Sequence, residues 1–249
     1  MTPFEYLAAA GAPLAAVFYA AGTVRLRRRG DAWPRWRDLS FTVGALSVAV
    51  AVLTRLPGGE FTAHMLQHLI VGMFAPLLLV LARPITLALR ALPPGRARRG
   101  LVAQSRLTAF LLFPPVAAAL DVGGLWILYR TRLFAASHDH PWLHGLVHLH
   151  VLMAGVVFSA SICRLDPMRH RSSFTVRGAT LVIAGTAHGV LAKSLWVTPP
   201  PGFSATDPHA GAELMYYGGD VAEIALAVVI AAQWYAAGGR ALRRSRLSL

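Results

Sequence analysis

The chain has 249 residues, of which 55% are hydrophobic and only 14% are charged, a smaller charged share than soluble domains carry. Its net charge is +13, but the arginines lie between apolar blocks of about 20 residues, which excludes a domain that binds nucleic acid along one basic face. The single cysteine, Cys163, excludes an internal disulfide and a copper site built on a cysteine pair.

The apolar blocks predict an all-α, polytopic membrane protein that forms one integral membrane domain over residues 1–249. We expect a bundle of seven transmembrane helices, at about 4–24, 39–56, 61–82, 107–129, 141–163, 174–197 and 213–237. Pro114 and Pro115 are expected to kink the fourth span. The apolar piece Ile85–Leu92 is too short to cross and is expected to lie at the membrane interface.

The basic residues predict the orientation of the bundle. The lysines and arginines lie in the segments after the first, third and fifth spans and in the tail, with the exceptions of Arg55, Arg130, Arg132 and Lys193. Cytoplasmic loops carry the excess of basic residues, so we expect the N-terminus outside and the C-terminus in the cytoplasm.

Polar side chains within the predicted spans gather in the outer half of the membrane. His64 and His68 share one helix face in the third span, and His144 and His148 repeat the spacing in the fifth. At about 1.5 Å of rise per residue, these pairs lie roughly 4 to 11 Å below the outer surface, and His188 lies roughly 13 Å below it. The carboxylates expected at about 10 to 15 Å are those of Asp121, Asp220 and Glu223.

Polar groups inside a membrane are costly and usually functional, so we interpret the five histidines as a candidate metal site. Imidazole suits copper, zinc or iron, and the thioethers of Met65 and Met215 at similar depth would favour Cu(I). The carboxylates would orient the imidazoles or relay protons, and His150 would pack beside them. Glycines around His188 and before Asp220 predict close approach of neighbouring helices.

Several alternatives stay open. Membrane histidines often only form hydrogen bonds between helices. Lys193 could pair with Asp220 or Glu223, which would make those carboxylates structural. A haem held axially by His68 and His148 would make the protein a membrane oxidoreductase. A copper transporter would need a polar path to the cytoplasm, which the apolar inner halves of the spans disfavour.

The remaining histidines are expected to lie in loops. His138, His140 and His209 fall in outer loops and are expected to be solvated, with collection of metal from outside as the alternative. His170 is expected on the cytoplasmic surface. The sequence contains no glycine-rich phosphate loop and no His-Glu-x-x-His motif, so we expect a protein that is not an enzyme.

Four segments resemble the CtaG-type cytochrome c oxidase assembly factors, over about residues 40–240. The third span, from His64-Met65-Leu66-Gln67-His68 through Ala75-Pro76-Leu77 to Arg83–Arg90, resembles the signature span of that family. The fifth span with Asp166-Pro167 after it, Ala187-His188-Gly189, and Met215–Glu223 are similar to its later segments.

The resemblance implies seven spans in the bacterial plasma membrane and a transient partner, a cytochrome c oxidase subunit. It also implies a role in oxidase assembly, as delivery of copper to the catalytic subunit. Many relatives carry a histidine near the outer end of the fourth span, where this chain has Gly124–Tyr129 and Asp121 is the nearest polar group.

Overall fold

The computed structural model describes residues 3–93, 95, 106–167, 172–200 and 206–247, and across these residues it contains helices and no strands. The prediction of an all-α chain is therefore confirmed. The helices are α1 (Pro3–Arg28), α2 (Arg35–Leu53), α3 (Glu60–His68), α4 (Ala75–Leu81), α5 (Pro84–Ala91), α6 (Arg106–Leu111), α7 (Pro114–Arg130), α8 (Leu133–Asp139), α9 (Pro141–Cys163), α10 (Phe174–Val197) and α11 (Thr206–Leu247).

Five helical segments are long and apolar enough to cross a membrane: Arg35–Leu53, Glu60–Ala91, Pro141–Cys163, Phe174–Val197 and Asp207–Arg240. They correspond to the second, third, fifth, sixth and seventh predicted spans. Large apolar side chains stand exposed on four of these segments, as a helix facing lipid requires, whereas Glu60–Ala91 exposes none and is the most buried of the five.

The first and fourth predicted spans also form helices, but these are not among the five segments that are long and apolar enough. Helix α1 has 26 residues and Pro13 within it. The predicted fourth span divides into α6 and α7, because the helix stops at Leu111 and restarts at Pro114. A proline has a fixed φ and no N–H, so it starts a helix readily, and the prolines separate two helices here instead of kinking one.

Helix α9 lies at the centre of the bundle and contacts α1, α4, α7, α8, α10 and α11. Between α3 and α4 the backbone widens into a π-helix over Leu69–Phe74, which packs on α9. A methyl group on Gly155 would lie 2.0 Å from the carbonyl oxygen of Gly72, so only glycine permits this contact. The π-helix starts at the residue after His68, a placement typical of functional sites.

Two aspartates, each followed by proline, fasten helix starts that are distant in sequence. Asp207 accepts hydrogen bonds from the N–H groups of Phe61 and Thr62 at 2.7 and 3.1 Å and from the Thr62 hydroxyl at 2.7 Å. Asp166 accepts the same three kinds of bond from Ile85 and Thr86. Each carboxylate satisfies N–H groups that the first turn of a helix leaves unpaired.

Candidate functional site

Two buried histidines from different helices face each other inside the bundle. His68 ends α3 and is 6% exposed, and His188 lies in the middle of α10 and is 3% exposed. Their ring centroids are 6.1 Å apart. Both ring nitrogens of His68 and Nε2 of His188 are buried and have no hydrogen-bond partner among the described residues. Buried polar atoms are normally paired, so three such atoms in one place call for an explanation.

The two rings line a cavity of about 10 Å³ together with two acidic side chains, Asp121 of α7 and Glu223 of α11, with Met73 of the π-helix and with apolar side chains. This volume corresponds to about one water-sized sphere. Glu223 Oε1 lies 3.4 Å from Nδ1 of His188 and is positioned to orient that ring. We call this group of His68, His188, Asp121 and Glu223 the imidazole cavity.

Glycines make the room that the imidazole cavity needs. A methyl group on Gly185 would lie 2.1 Å from a carboxylate oxygen of Glu223, and one on Gly219 would lie 2.3 Å from Cε1 of His188. The prediction that glycines permit close approach of the sixth and seventh spans is therefore confirmed. The Trp126 indole N–H donates to the carbonyl oxygen of Ala187 at 3.2 Å, which ties α7 to α10 beside His188.

The other three predicted histidines form a second group next to the cavity. The rings of His144 and His148 are 4.3 Å apart, and those of His64 and His148 are 6.2 Å apart. The Nδ1–H of His148 donates to the carbonyl oxygen of His144 at 2.9 Å, so the lone pair of the neutral ring lies on Nε2. His64 Nε2 lies 3.0 Å from the hydroxyl of Tyr129. His64 and His68 lie one turn apart on α3, which joins the two groups.

The predicted sulfur groups lie in an apolar environment. Met65 and Met215 are fully buried in a hydrophobic cluster with Phe61, Leu191 and neighbouring apolar side chains. Their thioethers contribute to packing at the same end of the bundle as the histidines.

Three other predicted polar residues lie outside the imidazole cavity. His150 is exposed on α9, and its Nε2–H donates to the carbonyl oxygen of Leu120 at 3.2 Å. Asp220 is half-buried on α11 and forms no ion pair among the described residues. The Lys193 ammonium lies 4.8 Å from the centre of the Tyr216 ring. Among the described residues it forms no ion pair with Asp220 or Glu223, which was the alternative.

The histidines expected in solvated loops form local contacts. His140 is exposed between α8 and α9 and stacks with Trp142. The prediction is wrong for His209, which lies half-buried in the first turn of α11 and stacks with Trp196 at 4.5 Å between ring centres. The side chain of His138 and the whole of His170 lie outside the described residues.

In the part of the chain that the structure describes, no three His, Cys, Asp or Glu side chains stand in an arrangement that could hold a metal ion. The histidines are instead arranged in close pairs. The cavity that His68 and His188 line has room for about one small ion, three of the four nitrogens of these rings lack partners, and imidazole is a suitable ligand for copper, zinc or iron.

Two contributors to this region were not predicted. Tyr129 holds His64, and nothing in the sequence distinguishes it from an aromatic residue at a membrane surface. Asp207, which lies two residues before His209 in a predicted outer loop, caps α3. The Asp-Pro dipeptide was its detectable signal, because Asp-Pro favours turns and Asp favours capping.

Comparison with known proteins gives one family. Residues 17–237 match the model of the cytochrome c oxidase caa3 assembly factor family, Caa3_CtaG. An uncharacterized protein of Mycobacterium bovis and one of Mycobacterium tuberculosis are each 37% identical over 188 residues, which cover 70% of this chain and 28% of the relative. An uncharacterized protein of Mycobacterium leprae is 30% identical over 260 residues, which cover 93% of this chain and 39% of the relative.

The chain thus spans between about a quarter and two fifths of the length of these curated relatives. No solved structure matches the chain.

Proposed function

The chain belongs to the cytochrome c oxidase caa3 assembly factor family, and from that premise we propose that it carries copper, as Cu(I), to the catalytic subunit of the oxidase. The protein is not an enzyme in this proposal. Copper is cargo, held in the imidazole cavity and released to a transient oxidase partner.

The orphaned nitrogens of His68 are the observation that carries the proposal. A neutral imidazole buried without a hydrogen bond loses its contacts with water and gains nothing in exchange. A copper ion between His68 and His188 would satisfy one nitrogen of each ring. Glu223 and Asp121 would offset its positive charge.

The proposed topology places this cavity in the outer half of the bacterial plasma membrane. We count seven spans by adding α1 and α7 to the five segments that are long and apolar enough to cross a membrane. With seven spans, the basic segments lie on the cytoplasmic side and the N-terminus lies outside. His64, His144 and His148 then lie between the cavity and the outer surface. We assign them as a relay through which copper enters and leaves.

Two imidazoles are a small ligand set, which suits exchange with a partner. Delivery requires ligands that select copper but leave its coordination incomplete, so that the partner's ligands can displace them. Met65, Met215, Asp220 and His150 have supporting positions in this proposal and are not ligands at the cavity.

The two alternative functions fit the molecule less well. Haem needs a pocket of several hundred Å³, whereas the cavity beside His68 has about 10 Å³. A copper transporter needs a polar path through the bundle, whereas an apolar cluster that includes Leu77, Phe158 and Ile162 fills the half nearer the basic segments.

A competition titration of the purified full chain with Cu(I) and a chromophoric chelator tests the proposal. We expect one tight site in the wild type and at least a hundredfold weaker binding in the His68→Ala/His188→Ala variant. The matched control is His150→Ala, which removes an exposed histidine from α9 and is expected to bind like the wild type. Wild-type affinity in the double variant, with an unchanged melting temperature, would overturn the proposal.

A further inference from the structure

A wide pocket opens at the end of the bundle opposite the imidazole cavity. Its volume is about 1010 Å³, and residues of α2, α4, α10, α11 and the segments flanking α4, α9 and α10 line it. Its walls carry one acidic residue, Asp166, and four basic ones, which are Arg83, Arg164, Arg177 and Arg240. We call it the basic pocket.

Arg177 is a buried cation without a counter-charge. Arg177 is only 3% exposed. Its guanidinium donates hydrogen bonds to the carbonyl oxygen of Ile162 at 2.8 Å and to Oε1 of Gln233 at 2.9 Å. Both acceptors are neutral. Its Nε is buried and has no hydrogen-bond partner, and no described carboxylate lies within ion-pair distance. Buried charges are normally paired, so this one indicates a missing anion.

The aspartate in the wall does not supply that anion. Asp166 is occupied by the start of α5, where it accepts hydrogen bonds from Ile85 and Thr86. Arg83 has a buried Nε without a partner as well. The backbone at Arg83 and Arg164 is left-handed, with φ of 55° and 46°, because each residue lies just after the end of a helix, where this conformation is common.

The opposite wall of the basic pocket is apolar and reaches the lateral surface of the bundle. It consists of Phe174 from α10 and of Val228, Val229, Ala232 and Ala236 from α11. Val228 is 61% exposed, on the surface that faces lipid in the proposed topology. The pocket therefore offers cationic groups at one side and an open apolar groove at the other, which is the amphipathic pattern of a phospholipid.

We infer that the basic pocket is a binding site for an anionic phospholipid of the adjacent leaflet. The lipid phosphate provides the counter-charge for Arg177 and Arg83, and an acyl chain lies along the α11 wall. Guanidinium groups bind phosphate through paired hydrogen bonds, and basic pockets between membrane helices are known lipid sites. This inference is independent of copper.

Native mass spectrometry of the full chain in a neutral detergent tests the inference, with phosphatidylglycerol and phosphatidylcholine as probes. We expect the wild type to retain phosphatidylglycerol about tenfold more strongly. Arg177→Gln is expected to reduce this retention at least about fivefold. The matched control, Arg28→Gln, removes one exposed arginine from the same end of the bundle outside the pocket and is expected to leave retention unchanged.

Two further variants keep the test decisive. Arg240→Gln changes an exposed residue at the rim of the basic pocket and carries the test if Arg177→Gln does not fold. Ala232→Trp fills the apolar wall without changing charge and is expected to abolish lipid retention.

Three results would overturn the inference. Equal retention of both lipids would show that the phosphate charge is not recognised, and equal losses in Arg28→Gln and Arg177→Gln would show general attraction to a basic surface. Full displacement of phosphatidylglycerol by millimolar inorganic phosphate, with Ala232→Trp behaving like the wild type, would show an anion site that takes no lipid.

Discussion

At both ends of the bundle an aspartate caps the start of a helix, but the buried polar groups at the two ends differ. At one end Asp207 fastens the start of α3, and at the other Asp166 fastens the start of α5. The first end then buries imidazoles whose nitrogens lack partners, whereas the second buries a guanidinium that lacks a carboxylate. In our two proposals each end is completed from outside the chain, one by a cation and the other by an anion.

The largest expected effect comes from the close contact between α9 and the π-helix. Gly155→Ala places a methyl group 2.0 Å from the carbonyl oxygen of Gly72, so α9 and the π-helix must separate. We expect a loss of more than about 3 kcal/mol of stability and little folded protein. Gly123→Ala is the control, because a methyl group there meets nothing within 4 Å. Thermal unfolding in detergent measures both, and equal melting temperatures would contradict the described packing.

The two capping aspartates separate the ends from each other. Asp207→Ala and Asp166→Ala each remove a carboxylate that caps a helix start, and each is expected to cost about 2 kcal/mol. We expect Asp207→Ala to weaken copper binding while phosphatidylglycerol retention stays the same, and Asp166→Ala to do the reverse. If each variant changed both ligands equally, the ends would not be independent.

The carboxylate beside His188 is expected to tune the copper affinity without holding the fold. Glu223→Gln keeps the shape and removes the charge 3.4 Å from Nδ1 of His188, and we expect about tenfold weaker Cu(I) binding. Glu213→Gln on the same helix changes an exposed carboxylate and provides the control. Indistinguishable copper affinities in the two variants would remove Glu223 from the site.

The smallest expected effect concerns Lys193. Its ammonium lies over the Tyr216 ring, so Lys193→Gln is expected to cost about 0.5 kcal/mol and to leave copper affinity within about twofold. Tyr216→Phe keeps the aromatic face and serves as the control. A tenfold change of copper affinity in Lys193→Gln would instead support an ion pair between Lys193 and the carboxylates of the site.

Sequence periodicity and composition predicted the helices well, since lengths of about 20 apolar residues leave few other solutions in a membrane. Estimated depth alone predicted that the five histidines, Asp121 and Glu223 gather in one half of the bundle, but it did not predict that His68 lies opposite His188. Rotation about each helix axis was not predictable in this way. It divides the five histidines into two groups, turns His150 outward and directs Met65 and Met215 into the apolar cluster.

Contacts between segments that are distant in the chain were also not predictable from the sequence. The cap that Asp207 provides joins residues separated by 146 positions, and only the folded chain shows which helix start an Asp-Pro turn meets. The same holds for the basic pocket. Its arginines read as topology signals in the sequence, and only the packing of α10 and α11 shows that Arg177 is buried without a carboxylate.

X-ray absorption spectroscopy of the Cu(I)-loaded full chain tests most directly whether His68 and His188 hold copper. We predict a copper environment that contains imidazole nitrogens, which disappears in His68→Ala and persists in His150→Ala. Sulfur ligands from Met65 or Met215, or an imidazole environment that is unchanged in His68→Ala, would contradict the proposal.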